Sequence, residues 1–525
     1  MAAAPELVDR AGRPLRRSAE AFTAGSAALP ETADWSPRLG SADADLLPER
    51  ETIAARIHDL ARNDGWAANG LQRNLDNVIG AGLRLSHRPD WRALGISAEE
   101  AAAVARQVEA KWRGFADDPD CWCDAARQQT MAGLFGLAYR HWLIDGEALA
   151  LPLWRAGRGG AWATAFQIVD PARLSNPNEA ADTEFLRGGV ELDGFGAPAA
   201  YHVRAAHPGE WWGMAVANRY RWERIPRFTA WGRRRVVHFY EKERAGQTRG
   251  KSRITPIVKK LRMVGRYDEL ELQAAVANAL LAAFIESPFE HEALVDMLTQ
   301  GQIDPYQQAR ADYWKDKRRV LGRSGMQITT LFPGEQLSFP AAARPHAAFD
   351  AFESAALRNI AGAFGLSYEQ FSQDWSKVNY SSARGALLEV WRGLTSRRAA
   401  FANGVASVFF ALWLEEAMDR GEIDLPVGAP GFGQAKAAWS RCRWIGPGRG
   451  WIDPVKEAQA AQMRMEAGLS TLEAECAEQG LDWEEVIEQR AIEQAALLAA
   501  ALPRPVWADM PAPKPDPADD RRPGE

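Results

Sequence analysis

The stretch AGQTRGKS, Ala245 to Ser252, decides between two architectures. With alanine accepted for the first glycine it fits the phosphate-binding loop pattern, closing on Gly250, Lys251 and Ser252. Such a loop wraps backbone N–H groups around a phosphate, reaches the terminal phosphates with its lysine and helps hold magnesium with its hydroxyl. Part of the required context is present. The β-branched and aromatic run RRRVVHFYE (Arg233 to Glu241) precedes it, and a helical pattern, ITPIVKKLRMVGRYDELELQAAVANALLAAFIE, follows. Three features oppose the nucleotide site. Glu241 to Arg244 separate the strand from the turn, Thr248 and Arg249 would crowd a phosphate, and no apolar strand ending in Asp follows to supply the second magnesium ligand. The downstream chain is mainly helical, without the alternation of strands and helices that builds a parallel sheet. The stretch therefore reads as a polar turn that ends a strand and starts a helix, with a P-loop nucleotide-dependent motor as the alternative.

Working outward, 525 residues suffice for two or three domains' worth of core, and 46% hydrophobic with 25% charged residues is the balance of a soluble globular chain. A net charge of −6 excludes tight nucleic-acid binding by bulk charge, so any DNA contact is local or weak. MAAAPELVDRAGRPLRRSAE lacks the apolar centre of a secretory signal, and GVASVFFALWL (Gly404 to Leu414) is too short to span a bilayer. The expectation is a soluble, intracellular protein with no membrane partner. Cys121, Cys123, Cys442 and Cys476 have no zinc-site spacing and read as free thiols. The 21 tryptophans outnumber nine tyrosines, which points either to a Trp-rich core or to interfacial surface.

Along the chain, residues 1–45 lack periodicity and read as a mobile arm. Helices are expected over Pro48–Ile79, Ser97–Trp112 and Asp124–Leu143. From Glu147 to Tyr240 short strands take over: ALALPLW, AFQIVDP, GVELDGFGAPAAYHV and RRVVHFYE, with Asp193-Gly194 as a hairpin turn, giving an antiparallel β-rich block on helices and an α+β fold class. A helix of about Pro256 to Glu286 and one ending at Gly365 bracket an insert, Ser287 to Pro345. After the polar, aromatic loop SQDWSKVNYSS (Ser372 to Ser382) comes the longest periodic helix, with Gly393 and Gly404 as candidate bends and Arg398 as the one break in its apolar stripe. Asp453-Pro454, Ser470 with Glu473, and Asp482 with Glu485 mark three helix starts, the last two as capping boxes; Pro503 to Glu525 reads as a disordered tail.

Catalytic chemistry finds no foothold. The eight histidines are scattered, and neither G-x-S-x-G nor H-E-x-x-H occurs, so no catalytic, cofactor-binding or metal-binding residue is assigned. The residues alone favour a structural or interaction protein over an enzyme.

The order of several stretches carries a resemblance: ARNDGWAANGLQRNLDNVIGAGLRL (61–85), QIVDPARL (167–174), GQTRGKSRITPIVKKL (246–261), LFPGEQLSFP (331–340), GLSYEQFSQDWSKVNYSSARGALLE (365–389) and WIDPVKEAQA (451–460). From about Trp35 to Leu502 the sequence resembles the lambda-family portal proteins of tailed bacteriophages, the N-Y-S-S-A-R core being the most specific match. In that family G-Q-x-R-G is a turn entering a helix, and the ATPase is a separate protein, the terminase large subunit. The resemblance implies a ring of identical subunits, typically dodecameric, at one capsid vertex of the virion, assembled in the host cytoplasm, with double-stranded DNA passing through its channel without sequence readout. It implies a portal fold: an α/β wing (46–255), a helical-hairpin stem (256–286 and 346–366), a small α/β clip (287–345), a tunnel loop (367–383), a long kinked wing helix (384–420) and a helical C-terminal wing and crown (421–502). It also implies terminase, head-completion or adaptor proteins, and major capsid and scaffold proteins as partners. On this layout Lys259, Lys260, Arg262 and Arg266 of the stem, and Gln373, Asp374, Trp375, Lys377, Asn379 and Tyr380 of the loop, are candidates to face DNA. An ordinary solvated helix face equally fits the basic four, and packing equally fits Trp375 and Tyr380. In the clip, Lys315, Lys317, Arg318 and Arg319 suit an acidic partner, a neighbouring subunit or a solvated helix.

Overall fold

The computed structural model describes residue 32, residues 34–280 except 158, the strand residues 284–286 and 336–338, residues 308 and 312, and residues 349–376, 380–450, 453–500 and 502. Helix α1 (Ala42–Leu46) starts on the Ser41 side chain, which accepts the Ala44 amide. The single helix expected over 48–79 is two, α2 (Arg50–Asn63) and α3 (Gly65–Val78). Asp64 is the cause: its backbone is extended and its carboxylate accepts the Ala67 amide, so it ends one helix and caps the next. Strand β1 (Arg84–His87) and helix α4 (Trp91–Leu94) lead to α5 (Ala98–Ala116), which carries a full capping box between Ser97 and Glu100. Helix α6 (Met131–Asp145) begins later than the expected Asp124, because the Asp124 carboxylate accepts the Ala126, Gln128 and Gln129 amides and folds the segment into a turn.

The β-rich block follows: β2 (Glu147–Trp154), β3 (Thr164–Val169), β4 (Leu186–Arg187), β5 (Val190–Leu192), β6 (Pro198–Arg204), a short helix α7 (Ala215–Asn218), β7 (Trp222–Pro226) and β8 (Val237–Tyr240). They form two antiparallel sheets, ordered β3-β2-β8 and β4-β5-β6-β7. Alternate residues of both sheets meet in a small core of Leu149, Val169, Val190, Tyr201, Val203 and Ile225. The hairpin at Asp193-Gly194 is present but wider than a two-residue turn: the Asp193 carboxylate accepts the Phe195 and Ala197 amides.

Helix α8 (Val258–Leu280) grows out of a 3-10 turn at Thr255–Ile257. The expected helix ran to Glu286, but Phe284–Glu286 is strand β9, paired antiparallel with β10 (Gln336–Ser338). Next come α9 (Phe349–Phe364), ended by Gly365 at φ +68°, and α10 (Tyr368–Ser372). Helices α8 and α9 run side by side, joined by Tyr267 stacked on Phe349 at 5.6 Å and by Lys260 Nζ donating to Asn359 Oδ1 at 2.8 Å. Then α11 (Tyr380–Phe401), a π-helical turn at Ala402–Ala406 and α12 (Ser407–Asp419) make one long element through the centre of the main core. Of the two candidate bends, Gly393 sits in unbroken helix. Gly404 lies in the π turn against Phe239, whose ring a Cβ would overlap. Phe409 stacks on Phe166 at 3.9 Å and Trp413 on Phe115 at 6.0 Å. Arg398, the apparent break in the stripe, is buried and donates to the carbonyls of Asn77, Val78 and Pro447, tying the long element to α3.

Helix α13 (Lys436–Trp439) precedes β11 (Cys442–Ile445), which returns to pair antiparallel with β1. The last helices are α14 (Pro454–Glu466), α15 (Leu472–Glu478) and α16 (Trp483–Ala499). Both expected capping boxes fail. Thr471, not Ser470, caps α15, and Glu473 goes instead to Arg88 and Arg443. Asp482 caps α16, while Glu485 bonds Arg84 and Arg113. In each case a guanidinium outcompetes the cap amide for the carboxylate, since two charged partners bond more strongly than a charged and a neutral one.

Candidate functional site

Two basic constellations flank the turn into α8, and their surroundings differ in kind. In the first, the loop at Gly250 does wrap an anion, but the anion belongs to the chain. Glu147, fully buried at the start of β2, accepts from the Gly250 amide at 2.8 Å, from both ends of the Arg249 guanidinium, from Arg50 and from His238. Burial alone would raise the Glu147 carboxyl, yet Arg249 and Arg50 hold it well below the usual carboxylate range. Arg249, 2% exposed, also donates to the carbonyls of Pro171, Leu174 and Gly188, so its guanidinium is fully answered. Asp43 accepts the Thr248 amide and hydroxyl, and Ser252 Oγ donates to the Leu143 carbonyl at 2.6 Å. Gly250 is required by close approach: a Cβ there would strike the Gly146 carbonyl. Lys251 Nζ pairs with Glu243 at 2.6 Å. The amide, lysine and hydroxyl of the motif are all engaged within the chain, which leaves no cradle for a nucleotide.

The second constellation is the outward face of α8. Lys259, Arg262 and Arg266 recur at three and four residues, so they share one helical face, and all three are exposed. None makes an ion pair among the described residues. The fourth predicted residue, Lys260, is exposed but turned aside towards Asn359. The other side of the helix is acidic: burial raises the carboxyls of Asp268 and Glu353, and of Asp64, although Arg262 acts on the last in the opposite sense.

Helix α9 packs against both α8 and α10, and the predicted loop residues follow α10. Gln373 closes α10 in a left-handed conformation (φ +62°) and donates to the Gln370 carbonyl. Asp374 turns inward on its own loop, accepting the Ser376 amide and hydroxyl, which makes it a turn-former. Trp375 is 45% exposed. Tyr380 supplies the first backbone turn of α11. Lys377 and Asn379, the side chain of Tyr380, and the predicted clip residues Lys315, Lys317, Arg318 and Arg319 lie outside the described residues.

Among the described residues no group of His, Cys, Asp and Glu has metal-site geometry, and no helix is long and apolar enough to cross a membrane. The residues that composition could not place are the tryptophans. Trp413 and Trp439 are core, whereas Trp211, Trp212 and Trp231 are exposed. The Trp211-Trp212 doublet between glycines was the available signal.

The family model described as "Phage portal protein, lambda family" matches residues 29–398. Portal protein B of Escherichia phage lambda is 36% identical over 502 residues, covering 94% of this chain and 93% of the relative. The portal protein of Escherichia phage N15 is 36% identical over 513 residues, covering 96% and 95% respectively. A solved chain from the "Neck of empty GTA particle" overlays with a TM-score of 0.47 at 13% identity, over 85% of this chain and 95% of that one. Matched over most of its length by the family model and over nearly all of it by two portal proteins, the chain belongs to the lambda family of phage portal proteins.

Proposed function

We propose that this chain is the portal subunit of a tailed-phage-type capsid. Identical copies close into a ring at one vertex, DNA enters during packaging and leaves during ejection through its centre, and the outer end receives terminase and head-completion proteins. The observation that carries this reading is the 36% identity to two portal proteins across nearly the whole chain. The fold is mixed helix and sheet, and the paired helices α8 and α9, joined beyond their far ends by an insert that begins and ends on the β9–β10 pair, suit a stem with its clip. On this reading the β-rich block is wing, the long element from Tyr380 to Asp419 crosses the wing, and the three C-terminal helices form the crown.

The charge pattern suits the role. DNA sliding through a channel needs weak, repeated phosphate contacts without base readout, since each tight contact raises the barrier to movement. An acidic subunit with an exposed basic stripe, Lys259, Arg262 and Arg266, that makes no ion pair among the described residues supplies that when repeated around a ring. Lys377 and Trp375 would add contacts at the loop, and Lys315, Lys317, Arg318 and Arg319 would meet terminase or an adaptor at the clip. Major capsid and scaffold proteins complete the partner set, the assembled ring belongs to the virion, and its assembly belongs to the host cytoplasm. No catalytic step is assigned to the chain, the motor being a docked partner.

Negative-stain electron microscopy with mass photometry on the purified protein tests the proposal, beside an ATP-hydrolysis blank. Closed rings with a central hole and no turnover are expected. Magnesium-dependent turnover abolished by Lys251→Ala would overturn it.

A further inference from the structure

The three C-terminal helices stand apart from the packing of the rest. Among the described residues, neither hydrophobic core takes a residue beyond Trp444, and no residue of 453–500 is fully buried. Helices α14 and α15 are tied to each other by Arg464, whose guanidinium donates to both Glu475 oxygens at 2.9 and 2.6 Å, and α16 follows α15 across the turn at Gln479 to Leu481. A unit that shares no core with its neighbour needs another means of attachment.

Charge supplies it. Glu473, at the start of α15, lies between Arg88, next to β1, and Arg443 of β11, the latter at 3.1 Å. Glu485, in the first turn of α16, lies between Arg84 of β1 at 2.8 Å and Arg113 of α5 at 2.6 Å. These six side chains are 26–60% exposed, so salt reaches all of them. Residues 453–500 hold eleven acidic and three basic side chains, a net −8, against −6 for the whole chain, so the remainder is net positive and the attachment joins opposite charges. Shape adds little beneath α16: a cleft of about 390 Å³ stays open between Asp482 and Glu485 on one side and Leu83, Trp112 and Met131 on the other. Glu109 also lines it, a carboxylate that repels Asp482 when both are ionised. Backbone meets backbone at the joint 446–450, where the Arg449 amide donates to the Glu478 carbonyl at 3.2 Å and a Cβ on Gly448 would strike the Gln479 carbonyl.

We infer that α14, α15 and α16 form one body latched to the β1–β11 ribbon and α5 by Glu473 and Glu485, and that screening these two carboxylates frees it to turn about the joint 446–450 while the main core stays folded. Exposed ion pairs are individually weak and weaken further with salt, whereas apolar packing does not. Four such pairs on two carboxylates therefore make a contact that opens before the fold does, a sub-global opening of the kind that hinges use. The latch lies within one subunit and does not rest on the ring reading.

Hydroxyl-radical footprinting of the full chain tests it, comparing wild type with Glu473→Gln/Glu485→Gln within one oligomeric state isolated by size exclusion. Each is labelled at about 0.1 M and about 1 M salt, where the screening length falls from about 10 Å to about 3 Å. Met131 and Trp112, which line the cleft under α16, report opening, and Trp413, deep in the main core, reports the fold. In wild type at high salt, labelling of Met131 and Trp112 is expected to rise at least about threefold, with Trp413 unchanged. The variant is expected to show that higher labelling already at low salt and to gain nothing more from added salt. Wild-type labelling that ignores salt, or a variant protected as well as wild type at low salt, overturns the latch, since packing would then hold the helices. A rise at Trp413 matching that at Met131 overturns it too, because the carboxylates would then be holding the whole fold and not a separable body.

Discussion

Arg249 and Arg262 lie on either side of the turn into α8 and have opposite surroundings. Arg249 is buried and answered by Glu147 and three carbonyls, whereas Arg262 stands on an exposed stripe with Lys259 and Arg266. Both belong to basic clusters that sequence patterns associate with phosphate. The difference lies in what meets each cation: a charge met by its own chain stabilises the fold, and an unmet one remains open to a partner. The largest expected effect is at the answered site. Glu147→Ala leaves Arg249 buried without its counter-charge and is expected to destabilise the chain by about 3–5 kcal/mol, measured by denaturant unfolding. Gly250→Ala is expected to act in the same direction by driving a Cβ into the Gly146 carbonyl. A loss under about 1 kcal/mol for Glu147→Ala would break the contrast.

How much of this was legible in the sequence follows the same divide. Elements set by local rules were visible, such as the helix from Ser97, the antiparallel strands from Glu147 to Tyr240 and the terminator Gly365. Elements set by distant partners were not. Asp64 looks like one more polar residue in a helical pattern until its carboxylate is seen capping Ala67, and Arg398 looks like a break until three carbonyls receive it. Glu473 and Glu485 fit a local capping pattern but were drawn to arginines far along the chain. The stretch at 245–252 was legible as a turn from its context, but the anion it holds, Glu147, is remote in sequence and was not. The stripe on α8 was legible because helical spacing alone places Lys259, Arg262 and Arg266 together, whereas Asp374 was not, its turn depending on side-chain geometry.

Glu109 sharpens the comparison as a carboxylate largely buried without an adequate cation. Burial pushes it up to about 7, Asp482 and Glu484 adding to the rise, although the His87 amide and Arg113 act against it. The folded chain therefore keeps a proton between its ordinary value of 4.5 and about 7 that the unfolded chain releases. Its contribution is fully present below about pH 4.5 and is lost as pH rises through about 7, by ~1–2 kcal/mol once partial exposure is discounted. Neighbouring His87, pushed down to about 4 by burial, works in the opposite sense: its contribution is present above 6.5 and lost as pH falls towards about 4. Glu109→Gln is expected to flatten only the alkaline limb of the melting-temperature profile. The same profile in wild type and variant would deny Glu109 its part.

At the unanswered site stability should hardly move. Lys259→Ala/Arg262→Ala/Arg266→Ala is expected to change unfolding free energy by under about 0.5 kcal/mol per position. What should change is DNA binding by assembled rings: the slope of log affinity against log salt is expected to become shallower by about 0.9 for each phosphate contact removed. A slope identical to wild type would reduce the stripe to solvated surface.

The smallest expected effect is at Lys251, the residue that gives AGQTRGKS its resemblance to a nucleotide site. Its only ion pair among the described residues is with Glu243, and both side chains are partly exposed. Such pairs contribute about 0–1 kcal/mol, so Lys251→Ala should leave unfolding within that range and should leave ring formation unaltered. A phosphate loop would rank the residues the other way, with its lysine indispensable and the carboxylate behind the glycine irrelevant. Measuring Lys251→Ala beside Glu147→Ala thus asks which anion the Gly250 amide was built to hold. Equal stability of the lysine variant, with large loss in the glutamate variant, assigns the loop to Glu147 and leaves phosphate contacts to the stripe on α8.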